Sequence, residues 1–104
     1  MSASLTVELL YFDGCPNHGA ARDAIERIAA EEEVAIDLRL VEVTSQEAAR
    51  AARFLGSPTI RVNGRDVEPG ADERGTFVLA CRVYQTEAGI GGQPSDDWIR
   101  AALR

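Results

Sequence analysis

The chain is 104 residues long, 45% hydrophobic, and carries seventeen acidic against eleven basic residues for a formal net charge of -6. That length suits one domain with a real core, expected to span 1-104, and is too short for two. The bases are all arginine and form no dense patch, which argues against binding a phosphate backbone. No apolar run approaches a membrane span and no signal-peptide pattern opens the chain, so the expectation is a cytoplasmic protein with no membrane partner.

Leu5 to Phe12 is β-rich and mostly apolar, as in a central strand covered on both faces, and ends at the turn signal Asp13-Gly14. From Pro16 to about Glu33 the period turns helical, with Ala21, Ala24, Ile25, Ile28 and Ala29 on one face. Pro16 suits a first helical turn. The run Glu31-Glu32-Glu33 reads as a solvated helix end. Val34 to Val43 alternates as a second strand. Thr44-Ser45-Gln46-Glu47 matches a capping box opening a helix to about Phe54, with Gly56 as its C-cap.

Asn63-Gly64 between Thr59–Val62 and Arg65–Val67 is a strong hairpin signal, because both central residues of a type I′ turn need positive φ. A long irregular stretch from 68 to 94 follows, interrupted by the apolar segment Phe77 to Tyr84. Gly89-Ile90-Gly91-Gly92 reads as a flexible loop. Ser95 caps a short terminal helix carrying Trp98. The predicted order is β-α-β-α-β-β-α, an α/β fold with a mixed sheet flanked by helices.

That order, with Phe12-Asp13-Gly14-Cys15-Pro16-Asn17-His18 and Gly56-Ser57-Pro58-Thr59, resembles the thioredoxin superfamily. It looks closest to small bacterial thioredoxin-like proteins. The resemblance covers roughly 1-67 and the last helix, leaving 68-94 as an extended loop insertion. It implies that Cys15 is the nucleophilic cysteine and that Pro58 is a cis-proline whose loop lies against it. The chain departs from the family at His18, which stands where the second cysteine of Cys-x-x-Cys belongs. No disulfide can close within the motif.

Two cysteines are too few for a disulfide scaffold, so they are core residues, a reactive pair or metal ligands. A thiol at a helix N-terminus faces unpaired backbone N–H groups and the positive dipole end, a setting that makes cysteines nucleophilic. His18, one turn on, is placed to assist Cys15 or to share a soft metal with it. Cys81 lies in a segment that leaves the hairpin from the Cys15 end of the sheet. It is either a resolving thiol or a packed residue of a short apolar strand. Arg82 reads as a surface residue that could meet an anionic substrate.

The leading expectation is therefore a thiol-redox protein, a candidate thiol-disulfide oxidoreductase, without a cofactor. Cys15 attacks a disulfide, and Cys81 or external glutathione resolves the mixed disulfide. Ser57, Pro58 and Thr59 would offer backbone groups to an extended substrate. The expected partner is a disulfide-containing protein or a small thiol such as glutathione, with a homodimer also open. The alternatives are a soft-metal protein binding mercury, copper or zinc through Cys15, Cys81 and His18, and a non-catalytic binding domain.

Overall fold

Alternating hydrophobicity and tight turns build a four-stranded mixed sheet with helices on both faces. A computed structural model describes residues 4–104, so residues 1–3 of the expected domain lie outside the described residues. The elements are β1 (Leu5–Tyr11), α1 (His18–Glu31), β2 (Ile36–Glu42), α2 (Gln46–Ala51), β3 (Thr59–Val62), β4 (Arg65–Asp66), a 3-10 turn at Ala71–Glu73, β5 (Tyr84–Thr86), β6 (Gly89–Gly91) and α3 (Asp96–Leu103). The sheet order is β2-β1-β3-β4, with β1 parallel to β2 and antiparallel to β3. Among the described residues no helix is long and apolar enough to cross a membrane.

The central strand feeds two cores, because its side chains alternate between the faces. Val7 and Leu9 join Ile25 and Ile28 of α1, Ile60 of β3, and Ile99 and Leu103 of α3. Leu10 turns the other way to Val43, Ala49 and Phe54, with Leu79 packed against them. Removing the fully buried Phe54 ring would cost about 3–5 kcal/mol by the usual cavity rule.

Asn63 and Gly64 take φ of 51° and 85° at the β3–β4 turn, as their chemistry demands. Three local expectations are corrected. Ser45, rather than Thr44, caps α2, its Oγ accepting from Ala48 N–H at 3.0 Å. The third helical residue is then Ala48, which has no side chain to reach back, so the capping box does not form. The helix closes through Arg53 in the left-handed region at φ 55°, with Phe54 N–H bonded to Ala49 O. Gly56 has a different task. A Cβ there would lie 2.8 Å from Arg82 Cβ, so glycine admits a second chain segment.

The stretch from 68 to 94 is not simply loop. It holds the 3-10 turn and a separate two-stranded sheet in which Tyr84 pairs with Gly91 and Thr86 with Gly89. Gly89 turns at φ 111° and the Thr86 hydroxyl accepts from Ala88 N–H, closing a hairpin without an Asn-Gly signal. The acidic end of α1 also differs from expectation. Arg100 pairs with Glu31 and Glu32, and Arg104 with Glu32, tying α1 to α3. Solvent screening keeps ion pairs at such surface positions weak.

Candidate functional site at the end of β1

Chain geometry gathers the site at one end of the sheet. After Tyr11 the backbone turns at Asp13-Gly14, with Gly14 at φ 93°, and Cys15 N–H donates to Phe12 O at 3.2 Å. Because Leu10 pairs with Thr59 in an antiparallel ladder, Ser57 and Pro58 lie beyond the same end of β1 as Cys15. The Ser57–Pro58 peptide bond is cis. Both cysteines are free thiols.

The helix start is displaced from expectation. Pro16 and Asn17 form a turn and α1 begins at His18, so Cys15 stands two residues outside the N-cap. The N-cap Asn17 makes no side-chain capping bond, and the first turn carries no acid. The Asn17 amide instead lies under Gly92, where a Cβ would come within 2.2 Å of its Nδ2. The chain following the β5–β6 hairpin therefore reaches the N-terminus of α1.

His18 engages the backbone and an aromatic face. Its Nδ1 is 3.0 Å from Cys15 O, and its ring stacks on Tyr11 with centroids 4.4 Å apart and planes 15° from parallel. Among the described residues, no three His, Cys, Asp or Glu side chains are grouped so as to hold a metal ion. The set Cys15, Cys81 and His18 thus does not form a three-ligand site.

The largest correction concerns the Ser57 edge. Its N–H donates to Ala80 O at 2.8 Å and its C=O accepts from Arg82 N–H at 2.9 Å, forming a parallel bridge between Ser57 and Cys81. The backbone expected to receive a substrate is thus occupied by the chain's own residues 80–82. Thr59 is committed as well: its buried hydroxyl donates to Gly56 O at 2.6 Å and accepts from Arg82 at 3.1 Å. Cys81 is brought to Ser57 but stays exposed, rather than packed in an apolar strand. Cys15 is only 4% exposed.

Arg82 is not a surface residue. Its side chain is 2% exposed and meets Asp66 at 2.8 Å and 3.2 Å, Glu68 at 2.8 Å, and the Tyr84 ring at 4.3 Å. Burial disfavours its charge, but the bonds to Asp66 and Glu68 outweigh that and hold its pKa above the ordinary value. Among the described residues, Ser57 Oγ and Arg82 Nε are buried without a hydrogen-bond partner. Sequence reasoning missed Arg82, Asp66, Glu68 and Tyr84 as a unit. The available signal was faint: one arginine inside an apolar run, and acids following a hairpin.

Tyr84 completes the attachment, its hydroxyl donating to Pro58 O at 2.5 Å. Burial pushes the phenol well above its ordinary pKa. The protonated phenol is therefore favoured by folding, a contribution present below about pH 10 and lost as pH rises past the unfolded phenol's value. Tyr84→Phe should cost about 1–3 kcal/mol at neutral pH by stranding the Pro58 carbonyl. Urea titrations from neutral to alkaline pH should show a shallower alkaline loss of stability for the variant; parallel curves would contradict the assignment.

A cavity of about 600 Å³ lies between the β5–β6 hairpin and the start of α3, and neither cysteine lines it. No protein-family model matches this chain, and no curated protein matches it.

Proposed function

We propose that the chain is a thioredoxin-like thiol-redox protein in which Cys15 is the nucleophile and Cys81 the resolving thiol. One observation carries the reading: the Cys15 loop, Ser57–Pro58 and the segment bearing Cys81 all meet at one end of β1. Deprotonated Cys15 attacks one sulfur of a substrate disulfide, forming a mixed disulfide and releasing the first substrate thiolate. Cys81, having given up its proton, attacks Cys15 Sγ, forms the Cys15–Cys81 disulfide and releases the second. The substrate is reduced by two electrons and the protein dithiol is oxidised. Two molecules of an external thiol such as glutathione then restore the dithiol and leave joined as their own disulfide. A disulfide-bearing protein is the fitting substrate class, and a reducing cytoplasm the fitting setting. Since Cys15 is buried, the chain around it must shift for both steps.

Intact mass after exposure to oxidised glutathione tests the reading. Wild type should lose two hydrogens and carry no adduct, whereas Cys81→Ser should retain one glutathione on Cys15. A Cys15→Ser variant that exchanges disulfides as fast as wild type would sink the proposal. A second reading, a non-catalytic binding domain, is favoured by the burial of Cys15 and the occupied Ser57 edge. Inert thiols in every variant would establish it instead.

A further inference from the structure

The sheet has two edges, and they are treated differently. Strand β4 is two residues long, and the Asp66 N–H on it is covered by the Asp72 carboxylate at 3.2 Å. Strand β2 is seven residues long and forms the other edge. Its ladder with β1 begins at Leu5 N–H to Ala35 O and ends at Val43 N–H to Tyr11 O. That phase turns the backbone groups of odd-numbered residues toward β1. Ile36, Leu38, Leu40 and Glu42 then direct theirs to the open edge, and among the described residues none of these groups makes a hydrogen bond there. Leu40 is also 43% exposed.

Edge strands are commonly blunted by charge. The charges on β2 have a particular arrangement: Asp37 and Arg39 stand two residues apart with opposite sign, and in the single chain they pair with each other at 2.9 Å. We propose that the β2 edge binds the β2 edge of a second copy of this chain, antiparallel about a two-fold axis at Leu38. In that register Leu38 opposes Leu38 and Ile36 opposes Leu40, each pairing closed by outward N–H and C=O groups. Asp37 of each copy then opposes Arg39 of the other at the non-hydrogen-bonded positions, where side chains approach most closely. Sliding by two residues sets Arg39 against Arg39 or Asp37 against Asp37, so the charges select one register. Sliding by one misaligns the backbone groups altogether. The inference is independent of the thiol chemistry.

Sedimentation of the full chain across the micromolar-to-millimolar range, joined to amide hydrogen exchange, tests it. The wild type should dimerise, with protection rising at Ile36, Leu38 and Leu40 amides as concentration increases. Asp37→Arg, at an exposed position, should weaken the dimer on the order of tenfold by replacing two attractive pairs with two repulsive ones. The double exchange Asp37→Arg with Arg39→Asp should restore it. A wild-type monomer throughout, a dimer leaving those amides unprotected, or a double exchange without rescue would each overturn the proposal. So would amide protection that appears only on adding an unrelated extended peptide, which would assign the edge to another occupant.

Discussion

Arg82→Met should destabilise the fold by about 3–5 kcal/mol, because it leaves the buried Asp66 carboxylate without its cation. Asp66 has only 2% of its side chain exposed and Glu68 13%, so water cannot replace the guanidinium. Glu68 keeps Arg74 at 2.6 Å, whereas the Asp66 carboxylate loses its only ion pair among the described residues. For a domain of this size the loss corresponds to a melting temperature lower by more than about 12 °C. Arg82→Lys should recover only part of it, since a compact ammonium cannot reproduce the forked contacts to Asp66, Glu68 and Thr59. Thermal unfolding by circular dichroism provides the measurement. A change under about 1 kcal/mol would mean that the buried cluster does not form in solution. The backbone N–H of residue 82 still bonds Ser57 O in the variant, so residues 80–82 should loosen only through loss of the side-chain anchors on Asp66, Glu68 and Thr59.

The second large effect is in thiol reactivity. In the reduced native protein, alkylation should reach Cys81 first and lag at Cys15 on the order of a hundredfold, the population of a local opening of a few kcal/mol. Cys81 is exposed while Cys15 is buried. The segment that must move touches the site at Ser57, at Pro58 through Tyr84, and at Asn17 through Gly92. Peptide mapping after timed alkylation separates the two thiols. Urea at concentrations that leave the core folded should narrow the gap, and Arg82→Met should narrow it further. Equal rates in the native state would show that residues 80–92 do not cover the site. The same cover bears on the redox proposal, since a partner must displace chain already bonded to Ser57 or exploit its spontaneous opening.

Much of the framework was legible from short windows of sequence. The apolar run of β1, the 3.6-residue period of α1, the alternation of β2 and the Asn63-Gly64 turn each encode structure through neighbours only a few residues apart. The placement of Cys15 after a strand and before a helix was readable for the same reason, although the helix starts at His18 rather than Pro16. The β5–β6 hairpin was not, because its glycine-rich strand Gly89–Gly91 lacks the alternating pattern that signals β-structure.

What the sequence alone determined is the chemistry available and its approximate address: one cysteine in a β-to-α turn, a histidine three residues on, and a second cysteine far along the chain. Tertiary structure decided what those residues meet. It took Arg82 from the surface into a buried cluster with Asp66 and Glu68, set Cys81 beside Ser57, turned His18 toward the Cys15 carbonyl and Tyr11, and brought Tyr84 to Pro58 and Gly92 to Asn17. These outcomes depend on hydrogen bonds and charge pairs between residues far apart in the chain. Local propensity carries no information about such pairings, because burial and partner arise only once the chain has folded back on itself.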